Sequence, residues 1–403
     1  MSGSSNTEIK PGIPFRAKVW LCAAMVSTTG SISFTVALAW AATAHGGAAA
    51  GITLTAGILP QASLLLVGGA LADRAGPRRV MGFTLCAMTL NSLLLAAAAT
   101  VFGTQVWLLA AFSLITGLIN AFHLPSVTSI MRRLVAPEQL SRALAVQQAG
   151  RQVAGFVGAP LGGVLTVGFG ISGAAIVNAS SFVLTLIVLT FVRPPFEPPG
   201  KGKSAGLIHE ASDGLKLAAK VPLLRIGLSV MAGGAAFIAP ITILFVPLLA
   251  RMRGWSPHEV GWLLGAQDVV FFVVALITSR YGASRRPGIA SAAGITITGV
   301  GAVILSISPV MPLALTSAAL VGLGYGIAAI HLAPLVIQSA PESHTSRISA
   351  MITLAQSLGV ISSVSGFGML GEIAGPVIAA TANGALLVSV GLLAFTSRHF
   401  SAA

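Results

Sequence analysis

Charged side chains are scarce in this sequence, where they make up 8% of 403 residues. A soluble globular protein carries about 25% charged residues, because its surface has to be hydrated. The 23 basic and 10 acidic residues are too few to cover a soluble fold of this length. A soluble enzyme, a nucleic-acid-binding protein and a disordered chain are therefore all disfavoured, and lipid is expected to surround most of the surface.

Cysteine is equally scarce, since Cys22 and Cys86 are the only two and both stand in apolar segments. They form neither a disulfide framework nor a metal-ligand spacing. We expect two buried free thiols, no metal and no cofactor. Enzyme motifs are lacking too: glycine pairs such as Gly233-Gly234 are helix-packing points, and no phosphate-binding motif predicts direct use of ATP. The sequence therefore predicts no catalytic activity.

Long apolar segments are abundant. A membrane-spanning helix needs about 20 apolar residues, and the sequence has twelve such segments, at 18–44, 51–72, 80–100, 105–130, 139–167, 172–192, 222–251, 257–280, 287–307, 311–337, 345–371 and 374–396. The first is too long for the apolar region of a cleaved signal peptide. Alternation with a period of two, which β-barrel strands require, is missing. We predict an all-α integral membrane protein with twelve transmembrane helices.

One connector is longer and more polar than the others. It covers 193–221 and is rich in proline and lysine. This linker separates six predicted helices in 18–192 from six in 222–396. We therefore predict an N-terminal six-helix bundle, a cytoplasmic linker and a C-terminal six-helix bundle.

Basic residues predict how the chain is oriented in the membrane. With the N-terminus in the cytoplasm, nearly all of them fall at cytoplasmic connectors, and only Arg251 and Arg253 fall outside. Cytoplasmic loops carry an excess of lysine and arginine. We expect a multi-pass protein of the cell (inner) membrane with both termini cytoplasmic. The net charge of +13 then needs no nucleic-acid partner. An aromatic belt at the membrane interface is expected at Trp20, Trp40, Trp107 and Trp255.

The two predicted bundles share an internal repeat. The matches keep their order along the chain: Arg74-Ala75-Gly76 with Arg280-Tyr281-Gly282, His123-Leu124-Pro125 with His331-Leu332-Ala333-Pro334, Pro137-Glu138 with Pro341-Glu342, and Ser141-Arg142 with Ser346-Arg347. An even number of helices per repeat gives both copies the same orientation. Parallel repeats of this kind build two pseudo-symmetric halves that rock around a central site.

The connector after the second predicted helix carries a recognisable motif. It places Gly69, then Asp73-Arg74, then Gly76 and the basic pair Arg78-Arg79. This loop resembles the signature loop of the major facilitator superfamily of transporters. The resemblance implies a gating role for these residues, in which the loop latches the two halves on the cytoplasmic side. Anchoring of the loop by its positive charges is the alternative.

Three further segments, at 117–125, 134–140 and 158–163, resemble the drug-efflux branch of that superfamily, which contains macrolide-efflux proteins and the enterobactin exporter. The resemblance implies an antiporter that exports a drug, an antibiotic or a siderophore-like molecule in exchange for protons. Packing of small residues explains 158–163 equally well. The chain departs from the pattern, since no acid stands between Glu8 and Asp73 and no arginine between Trp107 and Met131.

Two charged residues stand inside predicted helices. Arg151 and Asp268 each lie about 15–18 Å into a hydrocarbon core about 30 Å thick. A lone charge at that depth costs about 2.5–3.5 kcal/mol on insertion scales. The two residues therefore predict a shared aqueous cavity or a direct ion pair, which serves proton coupling or simply holds the halves together. His123 and His331 are further proton-coupling candidates, because histidine titrates near neutral pH.

Other polar residues on the predicted helices are candidates for lining a substrate cavity: Asn120, Gln147, Gln148, Gln152, Gln267, Tyr325 and Gln356. Because polar residues are few, we expect a mainly apolar cavity that suits a hydrophobic or amphipathic small molecule better than a sugar. The expected partners are this molecule, protons and the lipid bilayer, with the protein acting as a monomer. A uniporter, an uptake symporter for a small metabolite and a transporter-like sensor remain alternative functions.

Overall fold

A computed structural model describes residues 12–192, 221–339, 345–397 and 400. Over these ranges the chain is helical, with α1 at Phe15–Thr43, α2 at Gly47–Ala75, α3 at Pro77–Phe102, α4 at Val106–Leu134, α5 and α6 at 137–169 and 171–191, α7 at Pro222–Met252, α8 at Pro257–Tyr281, α9 at Pro287–Ile307, α10 at Met311–Gln338, α11 at Thr345–Ile373 and α12 at Pro376–Thr396. The predicted linker 193–221 lies outside the described residues except for Val221, as do Pro341 and Glu342 of the predicted repeat.

Eleven of the described helical segments are long and apolar enough to cross a membrane. One of them, Glu138–Phe191, has 54 residues, or about 80 Å at 1.5 Å per residue, and so provides two crossings. It breaks at Gly170, whose φ of +62° is readily adopted by glycine. The prediction of an all-α membrane protein with twelve transmembrane helices is thereby confirmed.

Proline and capping side chains define several helix starts. Proline stands in the first turn of α3, α5, α7, α8, α9, α10 and α12, where its missing N–H leaves no helical hydrogen bond unmade. At the start of α8, the side chains of Ser256 and Glu259 form a capping box. Inside α7, a π-helical turn at Ile241–Phe245 follows Pro240, since proline cannot donate a regular helical hydrogen bond.

Within the described residues, α1–α6 pack mainly on one another, and so do α7–α12. Small residues allow this close packing: Gly117 of α4 lies against Gly57 of α2, and Gly324 of α10 lies against Gly294 of α9. Two helix pairs, α2 with α11 and α5 with α8, make most of the contacts between the two groups. These pairs form the walls of the central interface.

We call the face with the α1–α2 and α11–α12 connections the loop-1 face, and the opposite face the termini face. One buried cluster joins Phe34 of α1 and Leu54 of α2 to Phe245 of α7 near the loop-1 face. Another, near the termini face, contains residues of the first group only, among them Trp20 and Leu85. The two groups of helices thus meet toward the loop-1 face.

Three side chains differ from their predicted environments. Trp20, near the start of α1, is completely buried inside the protein and does not face lipid. Cys22 and Cys86 are free thiols as expected, but both are exposed on helix surfaces rather than buried. Lipid and the protein interior are both apolar, so the sequence of an apolar segment does not reveal which side of its helix faces lipid and which faces the protein.

Candidate functional site

A cavity of about 890 Å³ lies among the helices α1–α6. Five residues predicted to be functional line it: Asn120, His123, Gln147, Gln148 and Arg151. Serine, threonine and asparagine side chains of α1, α3, α4 and α6 add further hydrogen-bonding groups to its wall. Apolar groups nevertheless make up most of its wall, in agreement with the mainly apolar cavity expected from the sequence.

A second cavity of about 510 Å³ lies among α7, α9, α10 and α11. Tyr325 and Gln356, both predicted to line a cavity, contribute to it, and most of the remaining lining is apolar. Ile58 of α2 lines both cavities. The two cavities therefore adjoin at α2, and their volumes fall in the range of small-molecule sites, about 300–1,000 Å³.

Four predicted residues line neither cavity: Gln152, Gln267, Asp268 and His331. Gln267 is buried in the α8–α10 contact, where its backbone packs against Gly322, and its amide Nε2 has no hydrogen-bond partner among the described residues. Its candidate role in binding substrate stays a prediction, and its observed surroundings are those of a helix contact.

Asp268 lies at the contact between α8 and α5. A Cβ atom built on Gly155 would be 2.5 Å from its Oδ2, so the carboxylate rests directly on the α5 backbone. Tyr325 of α10, whose ring packs on Phe271 with centroids 5.2 Å apart, is near enough for Asp268 to act on its hydroxyl electrostatically. The acid thus stands between the two groups of helices.

Arg151 lies four residues before Gly155 on α5, which is one helical turn. Its side chain is exposed in the first cavity and forms no ion pair with Asp268 among the described contacts. The structure therefore brings the two predicted charges to adjacent turns of one interface without joining them. Neither arrangement proposed from the sequence is seen among the described residues in this conformation: the two charges are not paired, and Asp268 does not line the cavity that holds Arg151.

The two repeated histidines have different surroundings. The Nε2 of His331 accepts a hydrogen bond from the backbone N–H of Ser284 at 3.0 Å, and its Nδ1 lies 2.8 Å from the carbonyl oxygen of Ile327. These partners require a neutral ring with the proton on Nδ1. His123 lines the first cavity and contacts the Thr84 hydroxyl at 2.9 Å through Nδ1. Of the two histidines, it is therefore His123 that a molecule or proton in the first cavity can reach.

The predicted gating loop forms the tight connection between α2 and α3. Gly76 makes the turn with φ +88°, and the guanidinium of Arg78 donates to the carbonyl oxygens of Leu189 and Thr190 at the end of α6. Arg74 and Arg79 are exposed, and Gly69 approaches Pro125 of α4. The side chain of Asp73 lies outside the part of the structure that is described, so its predicted latch role remains a prediction.

Two residues that the sequence left aside join the halves at the loop-1 face. Glu372, near the end of α11, accepts a hydrogen bond from the N–H of Gly47 at the start of α2, at 2.9 Å. Arg251 donates to the carbonyl oxygen of Trp40 near the end of α1, at 2.7 Å, and stacks on its ring. A helix N-terminus favours a negative charge and a C-terminus a positive one. Glu372 at the start of α2 and Arg251 at the end of α1 both meet this preference.

Close backbone contacts reinforce this junction. A Cβ atom on Gly47 would be 2.7 Å from the carbonyl oxygen of Gly368, and one on Gly368 would be 2.6 Å from that of Gly47. Deeper in, the hydroxyls of Thr55 and Ser365 are hydrogen-bonded at 2.7 Å. The sequence shows that α2 and α11 each carry small residues at these positions, but it does not reveal that the two helices pack against each other there.

Comparisons with known proteins agree with this architecture. Residues 19–364 match the family model of the Major Facilitator Superfamily. The multidrug efflux pump Tap of Mycolicibacterium fortuitum is 27% identical over 358 residues, which cover 84% of this chain and 85% of Tap. The enterobactin exporter EntS of Salmonella typhimurium is 26% identical over 354 residues, covering 85% of this chain and 81% of EntS.

Solved structures show the same fold. The nucleoside transporter NupG superposes with a TM-score of 0.78 at 11% identity, over 94% of this chain and 99% of NupG. A bacterial homologue of the human lysosomal transporter Spinster, in an inward-facing and unoccupied conformation, gives a TM-score of 0.72 at 16% identity, over 96% of this chain and 98% of the homologue.

Proposed function

Because the chain belongs to the Major Facilitator Superfamily of membrane transporters, we propose that it exports a hydrophobic or amphipathic small molecule across the cell (inner) membrane in exchange for protons. Transport of a small molecule follows from the family. Export is supported by the similarity to a multidrug efflux pump and to an enterobactin exporter. Drugs, antibiotics and siderophore-like molecules are the candidate substrates.

The observation that carries this proposal is the pair of adjoining cavities, one within each helix group. Both walls are mostly apolar, but more polar side chains line the first cavity than the second, and the two cavities share Ile58. A molecule that spans both would place its polar part among α1–α6 and its apolar part among α7–α12. Such a lining suits an amphipathic substrate, because unpaired polar groups in an apolar site are costly.

Alternating access would move the two helix groups as separate bodies. We take the bodies to be 18–192 and 222–396, joined by the linker 193–221. The described contacts between them concentrate toward the loop-1 face, so the cavities would open toward the termini face. With both termini in the cytoplasm, that opening is cytoplasmic. The gating loop with Asp73 and Arg74 would latch this face when it closes.

Asp268 is the best candidate for the proton carrier. It stands in the α5–α8 contact, which must rearrange when the helix groups move, and it lies beside Tyr325 of the second cavity. Burial disfavours a charged carboxylate and a nearby cation favours it. Approach of the Arg151 guanidinium in another conformation would therefore change how firmly Asp268 holds a proton. His123, in the first cavity, is the second candidate.

The test is transport in inverted membrane vesicles with and without an imposed pH gradient, using a panel of ethidium, tetracycline, erythromycin and the anionic amphiphile fusidate. Proton-coupled export predicts gradient-driven accumulation that is lost in Asp268→Asn and kept in Glu138→Gln, a matched change of an exposed acid at the start of α5. Gradient-independent flux would indicate a uniporter instead. Accumulation driven by the opposite gradient would indicate an uptake symporter, and normal coupling in Asp268→Asn would move the carrier role to His123.

A further inference from the structure

Arg151 is the one charged side chain among the described residues that line the two cavities. It lies 14 residues after Pro137, at the start of α5, which corresponds to about 21 Å along the helix. The guanidinium is exposed in the first cavity, and none of the described residues that line either cavity is acidic. The first cavity therefore carries a net positive charge at the depth where substrate would bind.

The absence of a partner distinguishes Arg151 from the other arginines near the interface. Arg78 and Arg251 are satisfied by carbonyl oxygens at helix ends. Among the described contacts, Arg151 has no hydrogen bond or ion pair, and the nearby acid Asp268 rests on Gly155 instead. A guanidinium in a membrane protein usually pairs with an anion or with carbonyl groups. An unpartnered one in a cavity is suited to accept a partner from outside the chain.

The surrounding groups fit an anion rather than a second cation. Gln147 and Gln148, on the preceding turn of α5, line the same cavity and can donate through their amides. Asn120 of α4 and Thr28 of α1 add neutral hydrogen-bonding groups. A guanidinium presents a planar fork of N–H donors that matches the two oxygens of a carboxylate or a sulfonate. Neutral donors beside it complete the coordination without competing charge.

We propose that the transported molecule carries an anionic group, such as a carboxylate or sulfonate, that binds Arg151 in the first cavity. Its apolar part occupies the second cavity, where Met231, Ile238 and Leu332 form part of the wall. This inference rests on the proposed function, because it assigns the chemistry of the substrate to the cavities of a transporter. It makes Arg151 the residue that selects anionic amphiphiles over neutral or cationic ones.

Two probes with the same aromatic skeleton test the proposal. 8-Anilinonaphthalene-1-sulfonate carries a sulfonate, and N-phenyl-1-naphthylamine lacks it. Binding of each is measured by fluorescence to the full chain in nanodiscs, with protein-free nanodiscs of the same lipids as the blank. Arg151→Gln should weaken binding of the sulfonate probe about tenfold, as expected for loss of a charge-assisted pair, and should change binding of the neutral probe less than twofold.

Two variants complete the experiment. Arg151→Lys keeps the positive charge and should retain intermediate affinity for the sulfonate probe, which also shows that a change at 151 is compatible with folding. Arg132→Gln removes an exposed arginine at the end of α4 and should bind both probes like the wild type. Equal weakening of both probes in Arg151→Gln, or unchanged binding of the sulfonate probe, would overturn the proposal.

The outcome is separable from that of the transport assay. If proton-driven export fails but the two probes are still discriminated through Arg151, the coupling proposal falls and the anion site stands. If export is confirmed but Arg151→Gln leaves the sulfonate probe bound as tightly as before, the anion site falls and the transport function stands.

Discussion

The carboxylate of Asp268 in α8 lies directly on Gly155 of α5, at a position that has no room for another side chain. A Cβ atom at 155 would be 2.5 Å from Oδ2 and 2.9 Å from Cγ of the acid, so Gly155→Ala must displace the acid or separate the helices. We expect this variant to reduce gradient-driven transport about tenfold or more, as removal of a positioned group at a reacting centre does. Initial rates of gradient-driven transport in vesicles would measure this reduction.

A matched change controls for the loss of a glycine. Gly168 lies on the same helix, and a Cβ atom there would have nothing within 4 Å. Gly168→Ala should transport like the wild type. If Gly155→Ala also transports normally, the contact with Asp268 has no part in coupling.

The contact between Glu372 and the start of α2 makes a second prediction. A carboxylate at a helix N-terminus contributes about 0.3–1 kcal/mol at an exposed site. Glu372→Gln should therefore shift the equilibrium toward states open at the loop-1 face about two- to fivefold. Spin labels at Phe102 and Ile307, exposed ends of α3 and α9 on that face, report the shift as a larger population of long distances.

The control for this experiment is Glu259→Gln. That carboxylate also lies at the loop-1 face, but it accepts a hydrogen bond from Ser256 N within its own capping box, at 2.9 Å. The Glu259→Gln variant should therefore show the same distance distribution as the wild type. Identical distributions for Glu372→Gln and the wild type would show that the backbone contacts of Gly47 and Gly368 hold this face closed without the charge.

His331 is expected to act in folding rather than in proton transfer, because both of its ring nitrogens face backbone partners. His331→Ala removes the acceptor of the Ser284 N–H, which water can replace because Ser284 is exposed, and should cost about 0.5–1.5 kcal/mol of stability, seen as a lower melting temperature in detergent. The pH profile of transport should keep its shape. A shifted profile would contradict this assignment and return His331 to the coupling candidates.

The orientation in the membrane can be tested by cysteine labelling. Both native thiols are exposed, so they must first be replaced by serine. Single cysteines placed in the linker 193–221 should then react with an impermeant thiol reagent only from the cytoplasmic side, while a cysteine at Ile373 should react only from outside. The reverse pattern would invert the predicted topology and with it the expected direction of cavity opening.

The sequence by itself determined the helices. The bounds of the predicted segments 139–167 and 172–192 lie within about two residues of the helices on either side of Gly170. The reason is that a backbone in lipid must satisfy its own hydrogen bonds, so an apolar segment of sufficient length forms a helix. Glycine and proline mark the ends for local steric reasons. The family resemblance, carried by 69–79, was likewise readable from the chain.

Tertiary structure decided which sides of those helices meet. Trp20 is buried while Cys22, two residues on, is exposed, although both stand in one apolar run. Glu372 finds its partner at Gly47, 325 residues away along the chain. Since lipid and protein interior are equally apolar, hydropathy does not distinguish the two sides of a membrane helix, and only the close packing of small residues in three dimensions fixes which side chains touch.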